Sequence, residues 1–369
     1  MSIGHGDSGR SGTSLSSTPV AAVPATAAVP ATAGGAASGR SSVARPLVVV
    51  ALTALLLLAL SAISLVAGSK ATSVTDVVSA LTGTGDEYLR AVVASRIPRT
   101  ILGILVGAAL AVAGMLIQGI TRNPLGDPGL LGITVGASAA VVTATAFFGF
   151  VGGAGTVWIA MPGALLTVLL VYAIGGRATG GSVVPLILTG AVVAAVLGAY
   201  IQAMTLTKPE VFDSFRHWVI GALSGRGFDT IAAVAPVLVV GFALAAVLAS
   251  GLNALALGDD VATALGVRVS LVRGGGILAA ALLSAAATAA VGPIAFVGLA
   301  VPHIVRSLVG LDHRWQLPVS MLLGGSLLLF ADVIGRVIAR PEELMVGVVT
   351  AFVGAPFLLV AVRRGWVAR

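Results

Sequence analysis

Arg96-Ile-Pro-Arg-Thr-Ile-Leu-Gly-Ile-Leu-Val-Gly-Ala-Ala-Leu-Ala-Val-Ala-Gly-Met-Leu-Ile-Gln118, followed by Asn123-Pro-Leu-Gly-Asp-Pro128, decides the fold class of this chain. The apolar run between Arg99 and Gln118 is long enough for a helix to cross a bilayer. Two arginines stand at one mouth of that helix, and two prolines break the chain beyond the other. Charge and helix breakers are expensive in a membrane and need a use there. Along the run Gly103, Gly107, Ala111 and Gly114 recur at helical spacing, with Gln118 continuing the face. Small residues so placed let helix backbones approach closely.

The rest of the chain repeats this character. Hydrophobic residues make up 57% and charged residues 9% of the 369, against about 25% charged in a soluble domain. Mean hydropathy is +1.08. Ten apolar stretches, at 46–67, 97–119, 128–149, 157–175, 182–204, 229–250, 270–291, 293–310, 317–334 and 343–362, predict an all-α polytopic membrane protein. The alternating ten-residue segments of an outer-membrane barrel are missing. No cysteine occurs, which excludes disulfides, thiolate metal sites and cysteine nucleophiles. His5, His217, His303 and His313 are scattered without ligand spacing, and no metal site is expected. A lone helical histidine such as His303 reads as structural.

Residues 1–45 are rich in Ser, Thr, Ala, Gly and Pro and contain the repeat Val23-Pro-Ala-Thr-Ala27, Val29-Pro-Ala-Thr-Ala33. Such a segment buries too little apolar surface to offset its ordering entropy and is expected to be a disordered cytoplasmic tail. It is followed by a transmembrane domain over 46–369. With the N-terminus inside, the cytoplasmic side carries 12 basic and five acidic residues, and the outer side nine of each. The net charge of +7 inside predicts a multi-pass cell-membrane protein with both termini cytoplasmic. The arginines left outside then need a reason.

The run from Arg96 to Gln118 and Asn123-Pro-Leu-Gly-Asp-Pro-Gly-Leu-Leu-Gly132 resembles the FecCD-type permeases, the membrane subunits of ABC importers for iron–siderophores, haem and vitamin B12. So does Gly292-Pro-Ile-Ala-Phe-Val-Gly-Leu-Ala-Val-Pro-His303 with Arg306, Gly310 and Asp312-His-Arg314. A third block is Ala331-Asp332, Arg336, and Gly347 through Gly354-Ala-Pro356. The resemblance covers residues 46 to 365. One departure is visible: the family's Glu-Leu-Pro-x-Gly before the last span is here Glu343-Leu344-Met345.

The resemblance implies a type II ABC importer permease with ten spans per subunit and a second permease subunit, the same or a related chain. It also implies an extracytoplasmic substrate-binding protein and a dimer of ABC ATPase subunits. Neither lysine, Lys70 or Lys208, sits in a Walker A setting, so this chain is not expected to be an enzyme. ATP and Mg would be used by the partner ATPase. No cofactor is expected on this chain, and no nucleic acid is expected; lipid surrounds it. By motif position Arg96, Arg99 and Arg336 match arginines that dock acidic residues of the binding protein. Asp332 and Arg336, four residues apart, could instead pair on one helix face.

Leu252 through Arg268 is similar to the family's coupling segment, with Leu255, Gly258, Asp259, Ala262, Leu265 and Gly266 as ATPase contacts. Thr179, Gly180, Gly181 and Ser182 match the cytoplasmic gate. A short outer helix is expected within 208–226, with Arg216 and His217 toward the binding protein or the vestibule. The implied cargo is a ferric siderophore, with haem and vitamin B12 as alternatives. An ion-coupled secondary transporter would place carboxylates near the midplane. The predicted spans hold none there: Asp332 lies toward an outer end, and Asp127 and Asp312 lie inside.

Overall fold

The computed structural model describes residues 41–68, 72–150, 153, 155–176 and 184–363. The expected N-terminal tail falls outside them, apart from its last five residues, which open the first helix. The described residues form α1 (Ser41–Val66), α2 (Val74–Leu81), α3 (Glu87–Thr121), α4 (Ile133–Phe148), α5 (Thr156–Gly175), α6 (Val184–Thr207) and α7 (Pro209–Val219). There follow α8 (Phe228–Ala256), α9 (Asp259–Ala264), α10 (Val269–Val291), α11 (Val297–Val309), α12 (His313–Ile338) and α13 (Val346–Arg363).

Seven of these helices are long and apolar enough to cross a membrane: α1, α3, α5, α6, α8, α10 and α12. With the shorter apolar helices α4, α11 and α13 they coincide with the ten stretches read from the sequence. Where the bounds differ, the reason is local. Helix α3 begins at Glu87, ten residues ahead of its apolar run, because polar turns extend the helix beyond the hydrocarbon; Pro98 is accommodated within it. Helix α11 starts late because Gly292 (φ 84°) and Phe296 (φ 70°) are left-handed and hold the preceding segment out of helix. A 3-10 turn over Pro128–Leu131, its first amide capped by Asp127, leads into α4.

Helices α3 and α10 form the centre. In the most apolar windows, 83% of α3 and 78% of α10 are buried, against 17% for α1 and 11% for α6. The glycines of α3 account for its position. Gly107 lies against Gly324 and Gly325 of α12, and a Cβ on Gly114 would overlap the Gly298 carbonyl of α11. In an apolar solvent, helices associate by such close backbone packing rather than by hydrophobic burial. The matching feature on α10 is its alanine-rich stretch, in which Ala279, Ala280, Ala285, Ala286, Ala289 and Ala290 are fully buried. Helices α1 and α6 turn Leu52, Leu55, Leu58, Leu188, Val192 and Val196 outward, as a lipid or subunit boundary requires.

Helices α3 and α12 run antiparallel, with Arg99 near the start of α3 packed beside Asp332 near the end of α12. Arg122, at the other end of α3, is some 23 residues away, about 35 Å along the axis. Chemistry therefore gathers at two opposite ends, named below by Arg99 and by Asp259.

Candidate functional site

At the Arg99 end the three arginines singled out in the sequence converge, and each is engaged within the chain. Asp332, 2% exposed, sits between two of them. Arg99 donates from Nη2 to Asp332 Oδ1 at 2.7 Å and from Nη1 to Glu343 Oε2 at 2.8 Å. Arg336, 1% exposed, pairs through Nη2 with Asp332 Oδ2 at 2.8 Å. The i,i+4 pair expected on α12 is thus present, with a third partner from α3.

The remaining donors cap α1. Arg336 Nη1 donates to the Ser64 and Ala67 carbonyls at 3.0 and 2.9 Å, and Nη2 to Ser64 Oγ at 2.7 Å. Arg96 Nη1 donates to the Leu65 and Val66 carbonyls at 2.8 and 2.9 Å and to Thr72 Oγ1 at 2.7 Å. The last carbonyls of a helix have no intrahelical partner and favour positive charge. Helix α1 has no basic residue in its last turn, so two other helices supply it. The network ties α1, α3, α12 and the α12–α13 connection together.

These groups wall a cavity of about 270 Å³ lined by Gly68, Tyr88, Val92, Ser95, Arg96, Arg99, Gly225, Arg226, Arg336 and Glu343. Arg226 was not singled out in the sequence; it stands in the short turn before α8 and carries no local pattern. Helix α7, the short helix expected after Lys208, lies in the preceding segment. Arg216 and His217 are exposed on it; Arg216 is 3.4 Å from Asp213, and His217 Nδ1 lies 2.9 Å from the Asp213 carbonyl.

At the other end, α9 is a short helix bounded by Gly258 (φ 114°) and Gly266 (φ 79°), within the segment that resembles the family's coupling element. Leu255 and Ala262 are buried beneath it, whereas Leu257, Val261 and Leu265 are exposed and form an apolar surface. Asp259 is an anchor rather than a free acid. It accepts from Arg122, the left-handed C-cap of α3, and from Arg273 Nη2 of α10 at 2.9 Å. Burial pushes its carboxyl upward, but the hydrogen bonds and charges of Arg273 and Arg122 outweigh this and hold it below the usual carboxylate value. Arg122 also donates to the Leu255 carbonyl at 2.6 Å. Both central helices are therefore bonded directly to the first residue of α9.

A second polar lock lies close by in sequence. Asn253 of α8 donates to Asp312 Oδ1 at 2.6 Å and accepts from the His313 amide at 2.8 Å. Gln118 Nε2 donates to the Gly298 and Leu299 carbonyls, both at 3.3 Å, and Gln118 Oε1 accepts from Arg306 at 3.2 Å. Asn123 Oδ1 accepts from the Leu125 amide at 2.9 Å. Gln118 and Asn123 thus bond other groups of the chain. Residues 179–182, the expected gate, lie outside the described residues. Among the described residues no three His, Asp or Glu side chains gather as metal ligands.

The sequence matches the FecCD transport family over residues 55–364. It is 48% identical over 305 residues to the ferric enterobactin transport system permease protein FepD of Escherichia coli, covering 82% of this chain and 90% of that protein. It is 38% identical over 268 residues to the cobalamin import system permease protein BtuC of Halobacterium salinarum, covering 73% and 72%. Among solved structures, a chain described as a metal-chelate type ABC transporter in an inward-facing conformation superposes with a TM-score of 0.76 at 29% identity. That match covers 85% of this chain and 98% of the other.

Proposed function

The chain belongs to the FecCD transport family, and from that premise we propose that it is the membrane permease subunit of an ATP-driven importer for a ferric siderophore. The observation that carries the cargo is the 48% identity to a ferric enterobactin permease over 82% of this chain and 90% of that one. The cobalamin relative supports a corrinoid as the second reading. An ion-coupled carrier is disfavoured by the charges. Among the described residues Asp332 is the sole carboxylate more than one turn inside a spanning helix, and two arginines hold it. Reconstituted with its ATPase and binding protein, the permease is expected to import ⁵⁵Fe-enterobactin only when ATP is present. Uptake of cobalamin with none of the iron chelate would overturn the siderophore assignment.

The Asp259 end is assigned to the cytoplasm, where an ATPase dimer that uses ATP and Mg would dock on Leu257, Val261 and Leu265. A short helix with an exposed apolar face suits insertion into a groove. Because Asp259 joins Arg122 and Arg273, a displacement of α9 would be passed to α3 and α10 together. Residues 179–182 remain the proposed cytoplasmic gate, and a second permease subunit the proposed partner across the membrane. The Arg99 end is assigned to the outside, where a binding protein would meet Arg96, Arg99 and Arg336 through the cavity they line. This orientation rests on the +7 charge assigned to the inner side. In this cysteine-free chain, Ser41→Cys and Thr84→Cys are expected to react with an impermeant maleimide from opposite sides of spheroplasts. Labelling of both from the outside would overturn it.

A further inference from the structure

At the Asp259 end a second group of arginines is left without acids. Arg45 of α1 and Arg314 of α12 are exposed, and Arg306 stands in the last turn of α11. Among the described residues none of the three pairs with a carboxylate. Arg45 donates to the Ser307 carbonyl at 3.4 Å, and Arg306 to Gln118 Oε1 at 3.2 Å. Both acceptors are neutral, so the positive charges stand uncompensated. Asp312, the acid nearest Arg314 in sequence, accepts from Asn253 and from the Arg314 amide. Helix stability does not account for Arg314, which stands in the first turn of α12, where the helix dipole disfavours a cation.

The fold brings the two exposed guanidiniums together. Arg336 near the end of α12 caps the end of α1, so the two helices run in the same direction. Nineteen residues back from Ser64 and Arg336 bring Arg45 level with Leu317, one turn from Arg314. Arg314 and Arg336 are 22 residues apart, close to six whole turns, so both lie on the α12 face that meets α1. Arg45 also touches the last turn of α11, which the short turn Gly310–Asp312 joins to α12. An apolar stripe runs on from this basic seam. Val48, Leu52 and Leu56 follow Arg45 at i+3, i+7 and i+11 on one face of α1, and are 56%, 60% and 43% exposed. The stripe is about 16 Å long, roughly the depth of one leaflet's hydrocarbon.

We infer that the seam of α1, α11 and α12 binds a phospholipid with an anionic headgroup. Arg45 and Arg314 hold the phosphate, and an acyl chain lies along Val48, Leu52 and Leu56. Guanidinium suits the task because its planar fork matches phosphate oxygens. A soluble anion would leave the stripe uncovered, and a lipid without net charge would leave the arginines uncompensated; an anionic phospholipid answers both. Bound there, it joins the start of α1 to the α11–α12 turn and stabilises the fold. The inference needs only that the chain spans a membrane. Neither the cargo nor the side assigned to the cytoplasm enters it.

Added to the detergent-solubilised chain, dioleoylphosphatidylglycerol is expected to raise the melting temperature by about 5 °C more than dioleoylphosphatidylcholine does. Arg45→Gln combined with Arg314→Gln should abolish the difference. Arg90→Gln, which removes an exposed arginine at the Arg99 end, should keep it. Equal stabilisation by the two lipids, or a phosphatidylglycerol effect that survives the double substitution, would overturn the site. The same shift produced by inorganic phosphate alone would make the occupant a soluble anion and overturn the lipid. A second measurement leaves both arginines in place and is independent of how the double variant folds. Trp315 follows Arg314 and is partly buried. In reconstituted vesicles its fluorescence is the difference between the unaltered chain and Trp315→Phe. Phosphatidylglycerol brominated on its acyl chains should quench that signal about twofold more than equally brominated phosphatidylcholine at the same mole fraction. Equal quenching by both lipids would overturn the proposal and leave the importer reading intact.

Discussion

Replacing Asp332 with alanine is expected to destabilise the protein by about 3–5 kcal/mol, the usual consequence of stripping one partner from a buried ion pair. Two guanidiniums depend on this carboxylate, Arg99 at 2.7 Å and Arg336 at 2.8 Å. Arg336 is 1% exposed, so little water can replace the lost carboxylate. The loss would loosen the junction of α1, α3 and α12, and a fall in the melting temperature of the detergent-solubilised protein of order 10 °C is expected. Asp332→Asn keeps the shape and one acceptor oxygen and should lose less. Arg99→Glu should resemble Asp332→Ala, because it would set a third carboxylate against Asp332 and Glu343. A melting temperature unchanged in Asp332→Ala would show that the arginines find other partners and that the network does not hold the three helices.

That network marks the boundary of what was legible in the sequence. Each span was readable because apolar length is a local property, and the glycine face of α3 was readable because helical spacing is local too. The Asp332–Arg336 pair was visible for the same reason. The bond from Arg99 to Asp332 crosses 233 positions, and nothing in either neighbourhood announces it. The arginines therefore read as docking contacts, with one local pair as the alternative, when two of the three are buried caps on a helix that lacks its own. The anchoring of Asp259 was hidden in the same way. It read only as part of the coupling segment, because its partners are the C-cap of α3 and a residue 14 positions on, in the first turns of α10. Arg226 was missed altogether, since the arginines with which it lines a cavity lie far from it in sequence. Pairing and proximity across a fold are tertiary facts.

Gly258 carries the largest expected effect on transport, and the structure changes the reason for it. The sequence suggests that a bulky residue there would spoil close approach to the ATPase. A Cβ on Gly258 would meet nothing within 4 Å in this chain, so space within the fold is not the obstacle. The backbone is: φ 114° and ψ 155° fall in a region open essentially to glycine alone, and a side chain forced there costs about 1–3 kcal/mol. The residue would relax to an extended conformation and swing α9 away from the line that sets Asp259 between Arg122 and Arg273. Gly258→Ala should therefore be nearly as damaging as Gly258→Leu. Both should assemble, yet lose about tenfold or more in ATP hydrolysis stimulated by binding protein in nanodiscs, an order of magnitude per roughly 1.4 kcal/mol. Steric crowding at the ATPase groove predicts a different pattern, with alanine tolerated and leucine harmful. Comparing the two substitutions separates backbone strain from bulk, and normal stimulation in both would remove α9 from the coupling path.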